Sequence, residues 1–168
     1  MIIDPELPWL ILVYATAFVF VLFIACLKGW ICIKEKKWKM PKIEHNKLTK
    51  WNWMISHPEN LTLGENTDIG FGTYIQAKHG VHIGENVQIG SHCSIYTENT
   101  IEKSSCQISI RPNTCIGAGT VIIPRKGMTH LEIGSNTIVG AMSLVKDDIP
   151  DNCIAYGIPA TVRGYHIC

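Results

Sequence analysis

The 168-residue sequence has little charge for its length, since only 17% of its residues are Asp, Glu, Lys or Arg. Typical soluble domains carry roughly 25%. Basic and acidic residues nearly cancel to a formal net charge of +1, and this lack of a basic excess argues against a dedicated nucleic-acid-binding protein. Because the hydrophobic fraction is a normal 46%, the composition also excludes an intrinsically disordered chain.

Clustered metal-ligating cysteines are also missing. The seven cysteines are an odd number, no two of them have C-x-x-C spacing, and none forms a compact cluster with histidine. This pattern excludes a zinc ribbon, and the sequence predicts no metal ligand. For a cytoplasmic protein we expect these thiols to be reduced.

No charged residue occurs between Leu7 and Leu27. About 20 apolar residues are enough to cross a hydrocarbon layer roughly 30 Å thick, and Trp9 and Trp30 flank the run. Residues 1–27 are therefore predicted to form an N-terminal membrane anchor, either a single-pass or a re-entrant segment. Since the lysines lie on its C-terminal side, the positive-inside rule predicts that the rest of the chain is on the cytoplasmic side of the membrane.

The next segment, residues 28–58, is rich in lysine and tryptophan. Its first 27 residues contain eight lysines against two glutamates. Lys and Trp side chains both favour the lipid headgroup region, so membrane lipid is the predicted partner of residues 7–27 and of this basic juxtamembrane linker. A plain solvated linker is the alternative. The third predicted domain is residues 59–168.

Aliphatic residues recur every six positions within this third domain, often followed by glycine. A six-residue period does not fit a helix of 3.6 residues per turn. Each hexad supplies one short strand and a bend, three hexads close a triangular coil, and coils stack at roughly 4.8 Å with parallel pairing. The sequence therefore predicts an all-β parallel β-helix of about four triangular coils. The repeat positions are Leu63, Ile69, Ile75, Ile83, Ile89, Ile95, Ile110, Ile116, Ile122, Ile133, Val139 and Val145.

Extra residues enter this repeat only after the third hexad of a coil. An uninterrupted coil needs 18 residues, whereas the three steps from coil to coil here are 20, 27 and 23 residues. All three insertions then lie along one edge of the triangular prism. Since loops on rigid scaffolds commonly carry function, we expect this edge to form the wall of a binding site.

Three segments of the repeat resemble the hexapeptide-repeat acyltransferases, and sugar or polysaccharide acetyltransferases in particular. They are VHIGENVQIGSHCSIYTENTI, NTCIGAGTVIIP and NTIVGAMSLVKDDIPDNCIAYGIPATVRG. The resemblance covers about Asn60 to Arg163. It implies a left-handed β-helix, a homotrimer, and acetyl-CoA as co-substrate in a cleft between neighbouring prisms. The implied acceptor is a hydroxyl or amino group of a nucleotide sugar, a lipid-linked glycan or a polysaccharide unit.

The resemblance also implies which residues bind the acetyl donor. The pantetheine arm of CoA would lie along small residues at two successive bends, and Lys146 and Arg163 match positions near the CoA phosphates, where cations make chemical sense. Surface ion pairs are the alternative role for these two residues. The small residues are Ala118, Gly119, Ala141 and Ser143.

The expected catalytic base is missing from its usual place. In the family a histidine follows the segment that here ends at Glu98-Asn99, but this sequence has Thr100 there, and a hydroxyl is no general base near neutral pH. By coil stacking, His79 lies one rung below Asn99 and is the predicted substitute. Glu98 or Asn99 would orient the acceptor, which suffices for an amine of lowered pKa.

Two other functions fit the same fold. One is a zinc enzyme like the gamma-class carbonic anhydrases, although their H-x4-H spacing is missing and only His79-x2-His82 is close to it. The other is a non-catalytic trimeric scaffold.

Overall fold

The computed structural model describes residues 38–165. Apart from a three-residue 3-10 turn at Pro58–Asn60, the regular structure of this part consists of short β-strands. The strands are β1 (Met54–Ser56), β2 (Leu61–Leu63), β3 (Asp68–Ile69), β4 (Tyr74–Gln76), β5 (Val81–Ile83), β6 (Gln88–Ile89), β7 (Ser94–Tyr96), β8 (Glu98–Asn99), β9 (Ser104–Ser105), β10 (Gln107–Ile110), β11 (Cys115–Ile116), β12 (Val121–Ile122), β13 (His130–Ile133), β14 (Ile138–Val139), β15 (Leu144–Val145), β16 (Cys153–Gly157) and β17 (Ala160–Tyr165).

Most of these strands form the three faces of a prism. Face A consists of β1, β4, β7, β12 and β15, face B of β2, β5, β10 and β13, and face C of β3, β6, β11, β14 and β16. Neighbouring strands within each face are parallel. At the C-terminal end, β17 pairs antiparallel with β16. The chain therefore winds from face B to face C to face A in each coil.

The pairing register aligns the repeat residues in columns. On face A, Ile75 pairs with Ile95, and Ile122 pairs with Ile95 and Val145. All four side chains are buried, because alternate residues of a strand point to opposite sides of the sheet and this set points inward. The prediction of an all-β parallel solenoid with about four coils, of the left-handed type, is confirmed.

Buried hydroxyl groups hold the bends between strands. Thr73 Oγ1 donates to the carbonyl of Gly90 at 2.9 Å, and Thr114 Oγ1 donates to the carbonyl of Gly134 at 2.7 Å. Cys93 occupies an equivalent bend, and its thiol contacts the Gly117 carbonyl at 3.2 Å. Each of these bonds joins one coil to the next, so the bends contribute to stacking as well as to the turn.

We expect Thr114→Val to lower the free energy of unfolding by about 1–3 kcal/mol, because it leaves a buried carbonyl without its donor. Thr114→Ser should retain most of the stability. Thr161, which is exposed on β17, provides the matched control, and Thr161→Val should change stability by less than about 0.5 kcal/mol. Denaturant unfolding followed by circular dichroism measures all three. Equal losses for Thr114→Val and Thr161→Val would contradict the role of the bend.

The solenoid begins earlier than the sequence pattern indicates. Strand β1 pairs with β4 on face A, and Trp53, just before it, is only 2% exposed. The predicted third domain began at residue 59, whereas the first paired strand begins at Met54. Trp53 belongs to the predicted lipid-facing linker, but its ring is buried in the hydrophobic core. Its burial corrects that assignment for this residue.

The predicted membrane localisation is wrong. Between residues 38 and 165, no helix is long and apolar enough to cross a bilayer. The segment predicted as the anchor, residues 1–27, lies outside the described residues.

Candidate functional site

The loops that interrupt the repeat all lie at one edge of the prism. The loops at residues 77–80, 97–106 and 123–129 each connect a strand of face A to the next strand of face B. We call this edge the insertion edge. The loops are therefore stacked on three successive coils, as their spacing in the sequence predicts.

The longest of these loops, residues 97–106, contains the antiparallel hairpin β8–β9. Asn99 is 5% exposed and uses its whole side chain within the protein. Its Nδ2 donates to the Pro124 carbonyl at 3.0 Å, and its Oδ1 accepts from the backbone N–H groups of Ile101 and Glu102. This predicted site residue thus holds the hairpin together and anchors it to the next loop.

Glu98 and His79 lie at the base of the hairpin. Glu98 forms an ion pair with Lys78 at 3.0 Å, and the backbone N–H of His79 donates to Thr97 Oγ1 at 3.2 Å. The His79 side chain is exposed. Thr100, at the position of the family's histidine, is exposed on the hairpin.

A polar depression of about 410 Å³ lies beside this base. It is lined mainly by side chains that can donate or accept hydrogen bonds, and two of them are imidazoles. Such a surface suits a ligand with several hydroxyl groups. The lining residues are Glu59, Asn60, Thr62, Lys78, His79, Gly80 and His82.

The four small residues of the predicted donor site lie at the edge between faces C and A. Ala118 and Ala141 are exposed at equivalent bends of consecutive coils, so they leave room for an extended ligand. Gly119 has a φ of 71°, and an added Cβ would lie 2.4 Å from the sulfur of Met142. A larger residue than glycine is therefore excluded unless Met142 moves.

The other three predicted donor-site residues differ in their exposure and in the contacts that they already make within the protein. Ser143 is buried, and its hydroxyl donates to the Gly140 carbonyl and accepts from the Gly157 N–H. Lys146 is paired with Glu102 at 2.5 Å. Arg163 is exposed and lies over the ring of Tyr156, at 5.7 Å from its centroid.

A single chain does not bring the predicted catalytic residues next to the small residues of the predicted donor site, although Lys146 contacts Glu102 of the hairpin. His79, Glu98 and Asn99 are at the insertion edge, whereas Ala118 and Ala141 are at the opposite edge of face A. The intervening strand and its flanking residues span about 15 Å at 3.3 Å per residue.

Comparisons with known proteins agree with this architecture. The chain is 34% identical over 108 residues to a galactoside O-acetyltransferase of Lactococcus lactis, a match that covers 62% of this chain and 46% of the relative. It is 32% identical over 118 residues to a serine acetyltransferase of Synechococcus elongatus, covering 65% of this chain and 46% of that protein. The chain thus spans about half the length of these relatives. No family model matches the sequence.

A solved structure supports the same likeness. A maltose O-acetyltransferase from Clostridium difficile superimposes with a TM-score of 0.61 at 26% identity, over 69% of this chain and 64% of that one. The predicted resemblance to the hexapeptide-repeat acyltransferases is confirmed.

The positions of the histidines bear on the zinc-enzyme alternative that the sequence also suggested. For the zinc-enzyme alternative, His79 and His82 do line one depression. Within the described range 38–165, however, no three His, Cys, Asp or Glu side chains of one chain are grouped so that they could hold a metal ion.

Two charged residues of the candidate site were not predicted from the sequence. Lys78 lies 20 residues before its partner Glu98, and this separation equals the step between the first two coils, so the repeat itself contained the signal. Glu102 contacts Lys146 across 44 residues. That pair joins two different loops, and no spacing in the repeat indicates it.

We expect Asn99→Ala to lower the free energy of unfolding by about 2–3 kcal/mol, since it removes a buried side chain with three hydrogen bonds. Asn60 donates a single bond to the Lys78 carbonyl and is exposed, so Asn60→Ala should cost less than about 1 kcal/mol. Thermal and urea unfolding measure the difference. An Asn99→Ala protein as stable as Asn60→Ala would show that Asn99 does not hold the hairpin.

Proposed function

We propose that this chain is an acetyl-CoA-dependent O-acetyltransferase that acts on a hydroxyl group of a sugar. The observation that carries the proposal is the 34% identity to a galactoside O-acetyltransferase over 108 residues. The polar depression at the insertion edge supports a polyhydroxyl acceptor. The similarity to a serine acetyltransferase makes the serine hydroxyl the alternative acceptor to test.

His79 is the proposed base. Its exposed imidazole lines the depression. There a ring nitrogen can take the proton of an acceptor hydroxyl while the hydroxyl oxygen forms a bond to the carbonyl carbon of the acetyl group. The same nitrogen then returns the proton to the departing sulfur of CoA. Glu98, held by Lys78 at 3.0 Å, orients the acceptor. Bound acetyl-CoA supplies the activated thioester.

The edge between faces C and A is the proposed donor site. Exposed Ala118 and Ala141 leave space for the pantetheine arm, and exposed Arg163 can pair with a phosphate. Gly119 lies at the same edge. Ser143 would shape the donor site by holding the bend, because its hydroxyl already donates one hydrogen bond within the protein and accepts another.

The positions of these two half-sites support assembly into a ring of identical chains, and the homotrimer that the family resemblance implies is the proposed size of this ring. The half-sites lie at opposite edges of face A in one chain, so a reaction between their ligands requires the insertion edge of one copy beside the donor edge of its neighbour. Cyclic assembly of identical chains repeats this contact at every interface. The active site of this proposal is therefore shared between copies.

Incubation of the full chain with acetyl-CoA and a panel of methyl galactoside, maltose and L-serine tests the activity. We expect release of free thiol only when an acceptor is present, with a galactoside or maltose preferred over serine. Absence of both thiol release and acetyl-CoA binding by calorimetry would refute the enzyme proposal.

Replacement of the proposed base tests its role. His79→Gln should lower kcat about 100- to 10,000-fold, the range typical of general-base catalysis, with little change in stability because the side chain is exposed. His130 pairs with Glu132 at 3.5 Å and provides the control, so His130→Gln should keep kcat within about threefold. Equal activity of both variants would exclude His79 as the base.

Mixing two inactive variants tests the shared site. We expect His79→Gln and Ala141→Trp to be inactive alone, because each removes one half-site from every copy. Co-expressed chains carrying different tags should regain activity, since some interfaces then combine two intact halves. Purified mixed oligomers that stay inactive would place both halves in a single chain.

A further inference from the structure

The hairpin β8–β9 is fixed at its stem by bonds to one neighbouring loop. Asn99 Nδ2 and Ser104 Oγ, one from each strand, both donate to the carbonyl of Pro124, at 3.0 and 3.1 Å. Pro124 belongs to the loop of the next coil at the insertion edge. These bonds secure the stem, but they lie below the tip formed by residues 100–103.

Glu102 holds the tip. Its Oε2 accepts from the backbone N–H of Lys126 at 2.9 Å, and its Oε1 accepts from the ammonium group of Lys146 at 2.5 Å. Lys126 belongs to the loop 123–129 of the insertion edge, and Lys146 directly follows the face A strand β15 of the next coil. In the part of the chain that the structure describes, Glu102 makes every polar side-chain contact between the tip and other coils. The neighbouring tip residue Ile101 is 92% exposed.

The base of the same hairpin contacts Lys78 and His79, which line the polar depression. Glu98 is paired with Lys78, and Thr97 accepts from the His79 N–H. A tip that swings away would pull on the two-residue strand Glu98–Asn99 directly below it. Because Asn99 Oδ1 accepts from the Ile101 and Glu102 N–H groups, a displacement of the tip would be transmitted to Asn99 and to its neighbour Glu98.

These contacts favour the ionised form of the Glu102 carboxyl group. The ammonium group of Lys146 and then the Lys126 N–H lower the pKa of Glu102. A lowered pKa in the folded state means that the attachment is present above the ordinary pKa of glutamate, about 4.3. It is lost as the pH falls through the lower value of the folded state.

We propose that Glu102 is a positioning residue, which fixes the β8–β9 hairpin to the third and fourth coils and so holds the acceptor side of the site in place. The catalytic part of this inference rests on the proposed acetyltransferase function. It assigns the Lys146 ammonium group to this attachment, whereas the resemblance implied a role for Lys146 at the CoA phosphates.

Two measurements on the full chain test this role. Hydrogen exchange of the Ile101 and residue-102 amides, which both donate to Asn99 Oδ1, needs no substrate. Steady-state kinetics with methyl galactoside and acetyl-CoA give separate KM values for acceptor and donor. The variants are Glu102→Ala, Glu102→Gln and Glu102→Asp. The control is Glu132→Gln, because Glu132 forms a similarly exposed ion pair with Arg111 at 3.0 Å on face B.

We expect Glu102→Ala to lose exchange protection at both amides and to lower kcat/KM for the acceptor by about 10- to 100-fold, as for a small misplacement of reacting groups. KM for acetyl-CoA should stay within about twofold. Glu102→Gln, which keeps an acceptor for the Lys126 N–H, should lose less, Glu102→Asp should recover part of the loss, and Glu132→Gln should resemble the wild type.

Three results would overturn the inference. Unchanged exchange in both Glu102→Ala and Glu102→Gln would show that Glu102 does not hold the tip. A change in KM for acetyl-CoA with no change for the acceptor would place Glu102 and Lys146 at the donor. Loss of protection with unchanged kinetics would make the contact purely structural. If the wild type lacks acetyltransferase activity, the proposed function fails separately, and the exchange experiment still decides the attachment.

Discussion

The structure depends on the inward stacking of aliphatic side chains from one coil onto the next. Each coil is too small to bury its own hydrophobic surface, so it requires a neighbour above or below. Parallel pairing in fixed register places one repeat residue directly over another, as in the column Ile75, Ile95, Ile122 and Val145. Any insertion must leave that register intact, and this restricts insertions to the corners.

The same constraint separates the roles of the prism's edges. The bends between faces C and A stay short, and several are held by a buried hydroxyl or thiol bonded to a carbonyl of the next coil. The insertion edge, by contrast, carries loops of three lengths on successive coils. Variation at this edge costs the core little, since the aliphatic columns continue beneath it. A rigid scaffold with one variable edge is well suited to positioning polar groups.

Polar contacts between the loops turn this edge into an ordered surface. The Pro124 carbonyl accepts a hydrogen bond from each strand of the hairpin. Glu98 and Glu102 each form an ion pair with a lysine from another loop. An exposed ion pair alone contributes little to stability. Here such pairs act together with hydrogen bonds to the backbone, so their main effect is on the geometry of the loops rather than on the folding free energy.

The sequence by itself determined the solenoid, the number of coils and the edge that carries the insertions, because a six-residue period in β-branched residues fits no other regular backbone so well. It also contained the Lys78–Glu98 pair, whose separation equals one coil step. The early start of the solenoid could not be predicted, since β1 lies before the glycine-marked hexads and its burial depends on pairing with β4. Only the tertiary structure decided that Asn99 is a buried anchor and that Glu102 binds Lys146. Those relations depend on how loops of unequal length meet in space, and no local spacing in the chain specifies that.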